Sequence, residues 1–245
     1  EVNEATIQNA LYFLTRILSA AYGKQVIVLI DEYDVPLAKA QENGYYRQML
    51  DVIRGIFSKA LKDNDYLKFG VVTGCPRISK ESIFTGVNNF SSYSVLNEDF
   101  SDYFGFTRAE VDEMLMEAGM GEKGEIIRSW YDGYVFGNSY VYCPWDVVSY
   151  VAALLRRPNA TPENYWKNTS GNGILRTFIE NTEFDVTEDF QTLMNGGTIQ
   201  KTVTQELTYD ALYENEDNLW SVLLMAGYVT KADPLNPDRK STRLN

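Results

Sequence analysis

The chain has 245 residues, of which 22 are basic and 34 acidic, for a formal net charge of −12, and it contains no histidine. With 44% hydrophobic and 23% charged residues it has the make-up of a globular protein able to bury a sizeable core, as one large domain or two small ones. The missing histidines exclude Ser-His-Asp and Cys-His machinery and histidine-held zinc or iron within the chain, and the acidic balance argues against a broad nucleic-acid footprint.

The chain opens without Met and without the basic n-region of a signal peptide. Ile7, Leu11, Leu14, Ile17, Leu18 and Tyr22 follow the spacing of an amphipathic helix, which Gly23 ends. A chain that starts inside a helix is expected to be a piece of a longer protein. Next comes Val26-Ile27-Val28-Leu29-Ile30, a continuous β-branched run that reads as a strand buried on both faces, as in a parallel α/β sheet. It ends in Asp31-Glu32-Tyr33-Asp34. Open α/β sheets bind ligands past the C-terminal edge of their strands. Neighbouring carboxylates there raise one another's pKa, and a Mg²⁺ ion with phosphate oxygens relieves that cost.

An apolar strand ending in Asp-Glu has the pattern of a Walker B motif. On that reading Asp31 holds Mg²⁺ through water and Glu32 polarises the attacking water. An acidic, solvated loop that caps the next helix is the equal alternative. A helix over roughly 45–61 follows, with Met49, Ile53, Phe57, Ala60 and Leu61 on one face. Leu67 to Thr73 then reads as a second, mostly buried strand, so the unit is a parallel βαβ. It ends in Thr73-Gly74, where P-loop ATPases of this order place the polar sensor 1 residue. Arg77 and Lys80 stand in the same loop, and a guanidinium there suits charge on a γ-phosphoryl group. For Arg77 an ion pair with Asp31 or Asp34 is the competing reading. No G-x-x-x-x-G-K-[ST] phosphate cradle occurs anywhere in the 245 residues, so tight ATP binding by this chain alone is not expected.

The run Thr73-Gly74-Cys75-Pro76-Arg77-Ile78-Ser79-Lys80-Glu81-Ser82-Ile83-Phe84-Thr85-Gly86-Val87-Asn88-Asn89 resembles the bacterial AAA-ATPase-like family. Tyr103-Phe104-Gly105-Phe106-Thr107, Trp130-Tyr131-Asp132-Gly133-Tyr134-Val135-Phe136-Gly137, Tyr165-Trp166-Lys167-Asn168-Thr169-Ser170 and the stretch from Asp217 to Tyr228 add to the likeness. The resemblance implies a P-loop ATPase core, and with the helices read in the second half the expected fold is α/β: part of a P-loop NTPase (AAA-like) parallel sheet, followed by a mostly helical lid and a winged-helix-like region. It implies Asp31 and Glu32 as the Walker B pair and a Walker A motif before residue 1. In the parent it implies ATP and Mg²⁺ as cofactors; with the reading of the strand ends, the expected site has Glu32, Thr73 and Arg77 catalytic, Asp31, Asp34 and Lys80 nucleotide-binding, and Asp31 the metal ligand. Family members often carry a PD-(D/E)XK-type nuclease domain; the one acidic-x-Lys triplet here is Asp238-Arg239-Lys240. Pro76 departs from the family's bulky apolar or small residue and restrains Cys75.

Thr107-Arg108-Ala109-Glu110 is a capping box that opens a helix through Val111, Met114, Leu115 and Ala118, ended by Gly119. A second helix, about 122–131, is expected to close at Gly133. Trp130, Tyr131, Tyr134, Phe136, Tyr140, Tyr142 and Trp145 read as core and hairpin packing around a Gly137-Asn138 turn, in preference to a base-stacking platform. Pro144 opens another helix through Val147, Val148, Val151 and Leu155. Residues 156–170 are a connection, 174–179 resume helix, and Asn195-Gly196-Gly197 is a break. Leu207 to Thr230 reads as short helices with a final strand.

The expected domains are 1–105 (ATPase core), 106–232 (helical lid and winged-helix-like region) and a tail, 233–245, that resembles a translated cloning artefact. Cys75 and Cys143 are too few for a disulfide framework or a four-cysteine metal site and suit a reducing cytosol, the expected location. No apolar run approaches the roughly 18 residues of a membrane span, so no membrane partner is expected. The chain alone is expected to be inactive, its parent an ATPase. The rival readings are a non-hydrolysing scaffold that binds a protein partner and the ATPase switch of a nuclease acting on DNA, the latter unsupported by charge.

Overall fold

The computed structural model describes residues 3–74, 83–84, 89–166, 184–205, 207 and 214–232. It divides into two compact units, residues 1–92 with 204–214 and residues 93–203 with 215–245. The expected division at 105/106 therefore falls inside the second unit.

In the first unit, helix α1 (Glu4–Tyr22) starts on Asn3, whose side chain accepts a hydrogen bond from the Thr6 amide at 2.9 Å, and it stops at Gly23. Strand β1 (Val26–Ile30) leads to α2 (Val35–Glu42), α3 (Tyr46–Leu61) and β2 (Leu67–Val72). The two strands are parallel, with Val28 opposite Gly70 and Ile30 opposite Val72, so this is a strand–helix–strand crossover. Asn64 fastens the turn after α3: its Nδ2 donates to Ala60 O at 2.9 Å and to Thr15 Oγ1 at 3.1 Å, and its Oδ1 accepts from the Tyr66 amide. The buried hydroxyl of Thr15, on α1, thus accepts from Asn64 while it donates to Tyr12 O at 2.8 Å.

One expectation is corrected here. Among the described residues, β1 and β2 are covered on a single face. Val28 is buried and Gly70 lies against Leu61 of α3, while Ile27, Leu29, Phe69 and Val71, which share the opposite face by their register, are exposed. A continuous apolar run describes what a strand can bury; which faces are covered depends on the layers around it. The helix α2, which the sequence reading left out, begins with Pro36 in its first turn, the position where a missing N–H costs nothing.

The second unit contains a three-stranded antiparallel sheet in the order β3 (Phe106–Thr107), β5 (Ser139–Tyr142), β4 (Asp132–Phe136). Around it lie α4 (Arg108–Glu117), a 3₁₀ turn (Gly121–Lys123), α5 (Gly124–Tyr131) and α6 (Pro144–Arg156). The capping box forms as the sequence spells it: Thr107 Oγ1 accepts from the Glu110 amide, and Glu110 Oε2 accepts from the Thr107 amide at 2.8 Å. Val111, Leu115, Ile127, Tyr131, Tyr142, Val147, Tyr150, Val151 and Leu154 make the core. Buried tyrosines need hydrogen-bond partners, and they tie down the connection after α6: Tyr131 donates to Glu163 O at 2.9 Å and Tyr150 to Ala160 O at 3.2 Å. The aromatic cluster is thus divided, with Tyr131 and Tyr142 in the core and Trp130, Tyr140 and Trp145 exposed.

Gly133, expected to end α5, instead sits inside β4 at an irregularity between Asp132 and Tyr134. Helices α7 (Thr187–Met194) and α8 (Glu216–Met225) complete the described part. The final strand expected after α8 is not formed. The amides of Tyr228 and Val229 both return to Leu223 O, and Thr230 meets β4 through its hydroxyl, which accepts from the Val135 amide at 3.0 Å. A side-chain contact there replaces a backbone ladder. The helix expected at 174–179 and the tail at 233–245 lie outside the described residues.

Candidate functional site

The site is built where β1 and β2 end side by side. Thr73 continues the ladder by one residue: its amide donates to Ile30 O at 2.8 Å, and its carbonyl accepts from the Tyr33 amide at 3.0 Å. Its backbone is thus clamped by the residues on either side of Asp31-Glu32. The Thr73 hydroxyl donates to Asp31 Oδ1, which also accepts from the Glu32 amide at 3.1 Å. Among the described residues, Asp31 Oδ2 has no hydrogen-bond donor.

The three acids of Asp31-Glu32-Tyr33-Asp34 separate. Asp31 and Glu32 are exposed at the rim, whereas Asp34 is buried. The separation follows from the backbone. Glu32 takes the left-handed conformation, φ 52°, which turns the chain so that Tyr33 enters the core and Asp34 opens α2. The Tyr33 ring packs edge-on against Phe57 and Phe84, with centroids at 6.4 and 5.5 Å. The other side of the notch is Gly74. A Cβ there would lie 2.5 Å from Tyr33 Cε1 and 2.7 Å from Asp34 Oδ1, so the position has no room for a side chain.

Of the residues expected at the site, the structure brings Asp31, Glu32 and Thr73 to one edge and sets Asp34 beneath it against Gly74. Arg77 and Lys80 lie outside the described residues. Tyr33 and Gly74 were not singled out by sequence. The signal that could have found them is a glycine directly after a polar strand end, opposite an aromatic flanked by acids.

Elsewhere the titratable groups serve structure. Burial pushes the Cys143 thiol up to about 11, although it stands at the start of α6, where backbone N–H groups favour the thiolate. Burial also raises the Tyr131 and Tyr142 hydroxyls. Lys201 bridges Asp189 and Glu216 and lies 5.8 Å from the centre of the Trp220 ring, joining α7 to α8. The hydrogen bond from Lys201 holds Glu216 below the usual carboxylate range. Among the described residues no three His, Cys, Asp or Glu side chains converge as a metal-binding group, and no helix is long and apolar enough to cross a membrane.

Residues 1–84 match the family model AAA-ATPase_like, described as a predicted AAA-ATPase. The match takes in α1, both parallel strands, Asp31, Glu32 and Thr73, and it supports an AAA-ATPase-like kinship for this part of the chain. Over 158 residues the chain is 34% identical to a protein of Azotobacter chroococcum mcd 1 named "Uncharacterized protein in vnfD 5'region". That alignment takes in 64% of this chain and 29% of the relative, so the chain spans under a third of that protein's length. No solved structure matches the chain.

Proposed function

We propose that this chain carries the Walker B part of an AAA-like P-loop ATPase, whose full-length form binds and hydrolyses ATP with Mg²⁺. The observation that carries the reading is the hydrogen bond from Thr73 to Asp31 across two parallel strand ends. It joins a candidate sensor residue to a candidate metal-holding carboxylate at the edge where α/β sheets take ligands. The family match over residues 1–84 supports the same reading.

The residues present fit Mg²⁺ held mainly by a nucleotide. Asp31 offers one hard oxygen, Oδ2; the described residues hold no three-ligand cluster, and the remaining coordination would come from phosphate oxygens and water. Bound there, the ion would neutralise charge on the phosphates. Asp31 would hold the ion, with Thr73 fixing the carboxylate's rotamer through Oδ1. Glu32, exposed and held out from the rim by its left-handed backbone, would accept a proton from an attacking water. Asp34 would act by packing against Gly74, not by touching nucleotide. The phosphate cradle would come from a segment outside these 245 residues, since no glycine-rich lysine loop occurs among them.

The test uses the full-length protein. Glu32→Gln should keep ATP–Mg²⁺ binding and lower turnover by about 100-fold or more, the usual contribution of a general base. Turnover at the unaltered rate would refute the assignment. The second reading is a scaffold that binds a partner without hydrolysis. Full-length protein that fails to bind ATP–Mg²⁺ would support it.

A further inference from the structure

We propose that the loop over residues 93–104 is a docking surface for a cationic, arginine- or lysine-rich protein segment. Four aromatic side chains stand out of this loop: Tyr93 is 49% exposed, Phe100 50%, Tyr103 76% and Phe104 67%. Single exposed aromatics are ordinary, but three of these are contiguous. Tyr93 meets Phe100 edge-on with ring centres 4.9 Å apart, and Phe100 meets Tyr103 at 5.8 Å. The three rings present one surface.

The loop holds those rings outward by construction. The Gly137 amide donates to Val95 O at 2.8 Å, and the hydroxyls of Ser101 and Ser139 are 2.8 Å apart, so both limbs are fastened to the β4–β5 turn. Gly137 admits the loop because a Cβ there would fall 2.3 Å from Asn97 O. Internally, Asn97 Oδ1 accepts from the Ser94 amide and the Tyr103 amide donates to Phe100 O at 3.1 Å. Phe100 itself has φ 60°, a conformation that costs a bulky residue about 1–2 kcal/mol, and in it half of the ring faces solvent. An apolar group with a choice would turn inward.

Charge decides the occupant. Glu98, Asp99 and Asp102 are exposed in the same loop, and no Lys or Arg occurs between Lys80 and Arg108. None of the three makes an ion pair among the described residues. Aromatic faces carry negative quadrupole charge, so rings and carboxylates attract the same ligand, a cation with an apolar body. A guanidinium stacks on a ring and bonds a carboxylate at once. Nucleic acid and anionic membranes are repelled by these carboxylates, and a second copy of a chain with net charge −12 is repelled as a whole. The proposal is independent of the nucleotide reading.

The test is fluorescence anisotropy of a fluorescein-labelled (Arg-Gly-Gly) repeat peptide with the full chain at about 0.15 M salt, where long-range attraction is screened. The unaltered chain should bind it, and a (Glu-Gly-Gly) peptide should not bind. Tyr103→Ala with Phe104→Ala, which leaves net charge unchanged, should weaken binding about tenfold, the equivalent of two cation–π contacts. Asp99→Asn with Asp102→Asn should weaken it as well, and Tyr103→Phe should retain it. Circular-dichroism melting checks that each variant folds. The proposal is overturned if the arginine peptide does not bind, or if the double alanine variant folds and binds it as tightly as the unaltered chain. It is also overturned if sedimentation shows self-association that the alanine pair abolishes, since the rings then serve a second copy.

Discussion

The hydroxyl of Thr73 donates to Oδ1 of Asp31, joining the residue after β2 to the residue after β1. The bond is 42 residues long in sequence and local in space, because parallel pairing brings both strand ends to one edge. A double-mutant cycle measures it. Thr73→Val and Asp31→Ala, each of which removes one partner, should each lower the urea midpoint slightly, with a coupling of about 0.5–1.5 kcal/mol. Strict additivity would mean the two groups do not interact in solution.

Gly74 has no room for a methyl group. Gly74→Ala should cost about 1–3 kcal/mol through collision with the Tyr33 ring and the Asp34 carboxylate. The position's φ is not the reason, so Gly74→Ala combined with Tyr33→Leu should recover part of the loss. Thermal melting of the two variants decides the matter; an unaltered midpoint for Gly74→Ala would show the notch to be loose.

Glu32 holds a backbone conformation that favours glycine. Glu32→Gly should be more stable than Glu32→Gln by about 1 kcal/mol, since both remove the charge and only glycine relieves the backbone. In the full-length protein both should lower turnover by about 100-fold or more. Stability recovered at the expense of activity is the expected sign of a residue kept for chemistry. Equal urea midpoints for the two variants would remove the strain argument.

Val28 and Leu29 are neighbours on opposite faces of β1, one buried and the other 73% exposed. Val28→Ala should destabilise by about 2 kcal/mol. Leu29→Lys should shift stability by no more than about 0.5 kcal/mol. It should also reduce binding of a hydrophobic dye, because Ile27, Leu29, Phe69 and Val71 form a bare apolar face. Loss of folding in Leu29→Lys would mean that this face is covered in solution.

Glu110 and Glu216 contribute to the acid limb of stability. Both are held below the usual glutamate pKa, Glu110 by the Thr107 amide and Glu216 by Lys201. A lowered folded-state pKa gives stability that is complete above the unfolded glutamate value, about 4.3, and is lost as the pH falls from there through the lowered one. The melting temperature should fall in that interval, and Glu216→Gln should flatten its dependence on pH. An equally steep acid limb in that variant would show that Lys201 does not hold Glu216 in solution.

Local chemistry was legible wherever the signal lay within a few residues. The β-branched run of β1, the amphipathic face of α3, the Thr107–Glu110 capping box, the Gly137-Asn138 turn and Pro144 at the head of α6 all stood in the sequence, because caps, turns and periodicity act over one or two turns of chain. The candidate site was half legible: Asp31, Glu32 and Thr73 were named from strand ends alone. Their meeting required parallel pairing, and the sorting of Asp34 inward and Glu32 outward required the core around Tyr33. Tertiary structure alone also decided that Ile27, Leu29, Phe69 and Val71 stand exposed on one face of the sheet and that Thr230 meets β4 by a hydroxyl in place of a strand. Burial depends on which distant residues arrive as neighbours, and the pattern along a chain fixes what a face can bury without fixing what comes to cover it.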